Sequence, residues 1–239
     1  INKVFHISIV IFLSLFLFLL SSRLVLSFYG FFLIYFFMLS FKKKILKIVF
    51  ISGIAITGFI AMATDNPVSQ RFHDLVNDDL SMLKQDNFNP GNYFNGIQFR
   101  LLQWRFVPEI LSENKKWITG ISPGDAQAFL NNKYIEKNIY IGETWRGDKG
   151  FLGYNPHSQL LQSLLQSGII GLFIFLLIFF SLIKIAWQKK DRTLSFVTIL
   201  LLLYSLIESL FETQYGLLLF IFFPLFFSEE KNKETKAAD

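Results

Sequence analysis

Two apolar runs, 4–20 and 24–41, are almost unbroken and are separated only by Ser21, Ser22 and Arg23. A helix needs roughly 20 mostly apolar residues to cross the hydrocarbon of a bilayer. Composition carries the same message over the whole chain. Of its 239 residues 52% are hydrophobic, 30 are Phe and only 17% are charged, where a soluble domain has about 25%. Intrinsic disorder, a disulfide-stapled mini-protein and an ordinary soluble enzyme are excluded. The expected fold is an all-α polytopic membrane protein.

Six spans are expected. They are Val4–Leu20, Leu24–Phe41, about Ile45–Ala63, about Gly168–Trp187, about Leu194–Phe211 and about Gln214–Phe227. The first lacks a small-residue cleavage site and is followed within four residues by another apolar run, so it reads as a span and not a signal peptide. Basic residues orient the set. Lys3, then Lys42, Lys43, Lys44 and Lys47, then Lys184, Lys189, Lys190 and Arg192, then Lys231, Lys233 and Lys236 all fall on one side, the cytoplasmic one. The opposite side receives Ser21–Arg23, a long polar stretch and the Glu212–Gln214 turn. The resulting organisation is three spans in 1–63, an extracytoplasmic loop subdomain in 64–157, three spans in 158–228 and a cytoplasmic tail in 229–239. The chain begins at Ile1 rather than Met, which leads us to expect a fragment or a processed chain.

The stretch 64–156 carries 10 basic and 11 acidic residues. The net charge of +5 therefore lies in the cytoplasmic loops, as a topology signal, and nucleic acid is excluded as a partner. Three of the four Trp fall in this stretch, which predicts a small helical subdomain on the membrane and not a linker. Its best helix is Ile97–Leu111, interrupted or kinked near Pro108. There is no cysteine, so no disulfide, thiolate nucleophile or Cys-ligated metal is possible. No His-x-x-His, HExxH, aspartate cluster, Walker loop or dinucleotide fingerprint appears, and no metal or cofactor is expected.

A handful of polar residues stand outside this pattern. Arg23 lies between two apolar runs, where an arginine is costly and points to an anionic partner, unless it only snorkels to head groups. Arg100 and Trp104 are four apart, on one helical face. A guanidinium there can grip a phosphate bidentately, although Arg100 and Arg105 also suit an ordinary amphipathic helix. His157 lies in Tyr-Asn-Pro-His-Ser-Gln. Asn155 is a good N-cap and Pro156 a good first helical residue. That places His157 in the first turn of a helix continuing into the fourth span, where the positive helix end keeps its ring neutral, as a general base requires. The bland reading is a capping-turn histidine. Gln159, Gln162, Ser163 and Gln166 give that helix a polar first half, suited to a cavity, to the interface or to plain packing. Glu208 and Glu212, four apart near the outer end of the fifth span, suit an ion pair with Arg23 or Arg100. Arg23, Arg100, His157, Glu208 and Glu212 all map to the outer face: two cations, a neutral base and carboxylates suited to a lipid-linked phosphate.

Four segments together resemble, in order, the O-antigen ligase and polymerase family of bacterial envelope polysaccharide enzymes. They are Ser22-Arg23, then Arg100-Leu-Leu-Gln-Trp104 with Gly120-Ile-Ser-Pro-Gly124, then Asn155-Pro-His-Ser-Gln-Leu-Leu-Gln running through Ser167-Gly-Ile-Ile-Gly171, and finally Glu208-Ser-Leu-Phe-Glu-Thr-Gln-Tyr-Gly216. Leu24 departs from the pattern, which more usually has a small residue there. The resemblance implies that this chain is the C-terminal half of a longer polytopic inner-membrane enzyme with its active site on the periplasmic face. It implies a glycan donor on undecaprenyl pyrophosphate and an acceptor that is lipid A-core, another glycan or a protein. Arg23 and Arg100 would bind the pyrophosphate and His157 would activate the acceptor hydroxyl, with Trp104, Glu208 and Glu212 in support and no cofactor. Ligase and polymerase both remain open. The reading from another class is a non-enzymatic transporter or sensor, which would place ionisable groups near the bilayer midplane.

Overall fold

The computed structural model describes residues 5, 8–9, 11–12, 14–15, 23–40, 42–64, 80–92, 94–143, 145, 147–222 and 224–226. The expected first span, Val4–Leu20, lies largely outside the described residues, and the tail 229–239 lies wholly outside them. The chain divides into two compact units, Ile1–Asp79 and Leu80–Asp239. All regular structure among the described residues is helical.

The first unit contains α1 (Arg23–Ser40) and α2 (Lys44–Ala63). Both segments lack Pro, so neither backbone ladder is interrupted. Thr64 ends α2 by donating both its N–H and its hydroxyl to the Ile60 carbonyl, at 3.1 and 3.0 Å. The Ser14 and Tyr29 hydroxyls are hydrogen-bonded to each other.

The second unit opens with a 3-10 turn, Leu80–Lys84, followed by α3 (Gly96–Glu113). Asn95 and Gln98 form a capping box: Asn95 Oδ1 accepts from the Gln98 N–H and Gln98 Oε1 accepts from the Asn95 N–H. The helix continues through Pro108 without the interruption the sequence suggested there. It packs on α4 (Ala126–Glu136). Phe99, Leu102, Phe106 and Ile110 of α3 bury against Leu130 and Tyr134 of α4, against Leu165, and against Phe88 and Phe94. Phe151 stacks on Phe99 with ring centres 4.1 Å apart. Tyr134 is fully buried with its hydroxyl satisfied, donating to the Tyr154 carbonyl and accepting from Gln103 Nε2, both at 2.9 Å.

Helix α5 (Gln159–Gln188) is broken at Gly168, whose φ of 65° and ψ of −162° belong to a region open essentially only to glycine. The loop 117–122 closes the break. The freed carbonyls of Leu165 and Gln166 accept from the N–H groups of Ile121 and Ser122, at 2.8 and 2.9 Å. On the far side the Ile169 N–H donates to the Trp117 carbonyl at 2.8 Å, and Ile170 to Ile118 at 3.5 Å. The contact leaves no room for side chains. A Cβ on Gly168 would lie 2.2 Å from the Ile118 oxygen, and one on Gly120 2.4 Å from the Ser167 nitrogen. Among the described residues α5 is the helix long and apolar enough, by length and composition, to cross a membrane.

Asp191 caps α6 (Arg192–Ser205) by accepting from the Leu194 N–H at 2.9 Å. Helix α6 ends at Ser205, short of the Phe211 expected for the fifth span. The chain turns instead through 206–209 into a 3-10 turn, Leu210–Glu212, and then α7 (Gln214–Phe226). Phe175, Phe179, Leu201 and Leu210 form a second core between these elements.

Candidate functional site

The capping box fixes where α3 starts, and so fixes its faces. Arg100 and Trp104, one turn apart, both reach partners distant in sequence. Trp104 Nε1 donates to the Pro156 carbonyl at 3.0 Å and pins the segment that carries His157. Arg100 Nη2 donates to Glu208 Oε1 at 2.7 Å. His157 Nδ1 lies 3.3 Å from Glu208 Oε2. One carboxylate therefore joins a cation on α3 to an imidazole on the 154–158 loop.

The local backbone around His157 differs from the expectation. Helix α5 begins at Gln159, and His157 precedes it with a φ of 46°, outside the first helical turn. Asn155 is the cause. Its Oδ1 accepts from the His157 N–H at 3.0 Å, closing an Asx turn instead of capping the helix, and from the Ser209 hydroxyl at 3.3 Å. The ring is therefore oriented by Glu208 and not by the helix end. A carboxylate oxygen can only accept, so the ring nitrogen facing Glu208, Nδ1, is the one that carries a proton, and Nε2 is the nitrogen left facing away from it. Among the described residues no other hydrogen-bond partner of the His157 ring is found. The side chains of Arg100, His157 and Glu208 are each about 30% exposed, partly desolvated but within reach of a substrate.

Glu208 lies in the turn beyond the end of α6. Burial works to raise its pKa, but the hydrogen bond from His157 and the charge of Arg100 hold it below the ordinary carboxylate value. Glu208 and Glu212 do not share a helical face as their spacing suggested, because the helix has ended. Glu212 accepts from Gln162 Nε2 at 3.1 Å and Gln166 Nε2 at 2.9 Å. Gln159 ties the same turn twice: its N–H donates to the Glu208 carbonyl at 3.2 Å, and its Oε1 accepts from the Phe211 N–H at 2.7 Å. The polar half of α5 thus holds the 208–212 turn in place. The Asx turn at Asn155 and this glutamine ladder are what sequence reasoning missed. The i, i+3, i+7 spacing of Gln159, Gln162 and Gln166 was the available signal for the ladder.

The structure thus brings together Arg100, Trp104, His157 and Glu208, with Glu212 on the adjoining 3-10 turn. Arg23 begins α1 in the other unit, and its side chain lies outside those described. Arg105 is committed elsewhere: it binds Glu109, Asp86 and the carbonyls of Leu83 and Gln85, clamping the 80–86 segment to α3. Among the described residues no three His, Asp or Glu side chains gather to hold a metal ion.

A family model described as O-antigen ligase matches residues 8–176, more than two thirds of the chain. The matched region contains Arg23, Arg100, Trp104 and His157; Glu208 and Glu212 lie beyond it. No curated protein matches the chain.

Proposed function

The chain belongs to the O-antigen ligase family, and from that premise we propose that it transfers a glycan from undecaprenyl pyrophosphate to an acceptor hydroxyl at the outer face of a bacterial inner membrane. The observation that carries this reading is the Arg100–Glu208–His157 relay. His157 Nε2 takes the proton of the acceptor hydroxyl. The hydroxyl oxygen bonds to the anomeric carbon as the bond from that carbon to the diphosphate breaks. Undecaprenyl pyrophosphate leaves with its negative charge held by the remaining N–H groups of Arg100. In this reading the guanidinium group supplies charge stabilisation in place of a metal ion. Glu208 fixes the tautomer and orientation of His157 and holds Arg100 beside it. Trp104 and Glu212 hold the two segments on which these groups sit.

In this reading the apolar helices are spans, 64–157 is the extracytoplasmic subdomain, and the acceptor is lipid A-core, a second lipid-linked glycan or a protein. A positioned base is worth roughly 10²–10⁴-fold, and one charge-stabilising donor roughly 10²–10³-fold. His157→Ala and Arg100→Ala are therefore each expected to abolish detectable transfer to acceptor in membranes that still contain the inserted protein. Wild-type transfer by His157→Ala overturns the base assignment.

A further inference from the structure

The loop that closes the break in α5 also presents an unusual surface. Helix α3 ends in a Schellman motif, with the Lys116 N–H on the Leu111 carbonyl at 2.9 Å and the Lys115 N–H on the Ser112 carbonyl at 3.2 Å. Lys115 takes the left-handed position with a φ of 55°. The motif turns the chain so that Lys115, Lys116, Trp117, Ile118 and Thr119 are all exposed in succession. Ile118 is 65% exposed, although it adjoins a well-packed core. Trp117 is held in place: its indole N–H donates to Ser112 Oγ at 3.1 Å. The main-chain bonds from Ile169 and Ile170 set Trp117 and Ile118 level with the first turn of the apolar half-helix 169–188. Ile169, Ile170 and Phe173 of that half-helix are themselves exposed.

At 1.5 Å per residue the half-helix 169–188 is about 30 Å long, the thickness of bilayer hydrocarbon. Trp187, exposed at its far end, and Trp117, beside its near end, stand where interfacial tryptophans are enriched on either side of a membrane. We propose that the segment Lys115–Thr119 is a membrane-docking loop. Trp117 and Ile118 enter the outer interface beside the break at Gly168, and Lys115 and Lys116 lie at the level of anionic phospholipid head groups. The partner is the lipid surface itself, because the basic pair, the indole and the isoleucine follow one another in the order of decreasing polarity met on entering a bilayer. The inference rests on reading 169–188 as a span.

The chain has no cysteine, so single labelling sites are available. The full chain carrying Ile118→Cys or Phe173→Cys is spin-labelled and placed in phosphatidylcholine bilayers with or without phosphatidylglycerol. Collision with dissolved oxygen and with a water-soluble nickel chelate then reports depth. A label at 118 at interfacial depth, shallower than one at 173, is the expected result. Addition of phosphatidylglycerol deepens the label at 118, and Lys115→Gln with Lys116→Gln removes that response. A label at 118 as open to the nickel chelate as free label in buffer, with the label at 173 in lipid, overturns the docking loop alone. A label at 173 in water overturns the span on which the loop rests. Deepening by phosphatidylglycerol that survives the double lysine change overturns the role given to the lysines. None of these readings depends on glycan transfer, so His157→Ala leaves them unchanged.

Discussion

Glu208 divides its two oxygens between a guanidinium and an imidazole, and its replacement by an isosteric amide separates charge from shape. In Glu208→Gln only one terminal atom accepts, so Arg100 and His157 Nδ1 can no longer both be served. Glycan transfer is expected to fall by about 10²-fold or more, with the protein still inserted; undiminished transfer shows that the relay has no part in the reaction. The pH dependence of stability has a fixed sign. The folded-state pKa of Glu208 lies below its ordinary value of 4.5, so its contribution is complete above that value and is lost as pH falls through the lower folded one. The thermal midpoints of wild type and Glu208→Gln should therefore differ at neutral pH and converge in acid. At this scale the sequence showed which side chains were out of keeping with an apolar chain, because Arg100, His157 and Glu208 stand out by type. It offered Arg23 or Arg100 as the ion-pair partner of Glu208, and Arg100, 108 positions away, is the one found; it did not show His157, 51 positions away, as the second partner. Asn155 was legible as a capping residue but not as the cap of a turn, because the same Asn-Pro pair serves both.

Where the described residues cover them, the apolar runs after the first are helical as read, whereas α4, which lies in no such run, was not legible; the boundary at Gly168 was legible from the change between a Gln/Ser-rich half and a Phe/Ile-rich half. The break itself was not, because one glycine within a helical pattern is usually tolerated; it shows only once the loop 117–122 lies against it. Nor was the early end of α6 at Ser205 legible, as Leu206 and Ile207 continue the apolar pattern and only the glutamine ladder and Arg100 draw Glu208 out of the helix. Gly168→Ala and Gly120→Ala each drive a Cβ into backbone on the other side of the stitch. Each is expected to cost about 1–3 kcal/mol, seen as a lower thermal midpoint in detergent. Gly147→Ala is the control, with a φ of 69° but nothing within 4 Å of the added Cβ, and it should cost less. Equal losses at all three positions show that backbone strain alone, and not the stitch, is at work.

For the whole molecule, the proposed arrangement puts the lysine-rich turns on one side of the membrane and the relay on the other. A cysteine at Lys189, treated in intact cells with a membrane-impermeant thiol reagent, should stay unlabelled, while one at Asp148 reacts; the reverse pattern inverts the topology. The envelope glycans of a strain lacking the protein decide between the open activities. Loss of all long chains from lipid A-core identifies a ligase, and survival of single repeat units identifies a polymerase.

The fracture in α5 also has a mechanical consequence. The two halves of that helix are joined through the non-helical Gly168, and the loop 117–122 acts as a splint gripping both by main-chain bonds. The half bearing Gln159, Gln162 and Gln166 and the apolar half are both tied to this one loop, so the break is a splinted joint and not a free hinge. With 169–188 read as a span, as proposed, a tilt of that half is carried through the same main-chain bonds into the loop 117–122, and so to the end of α3.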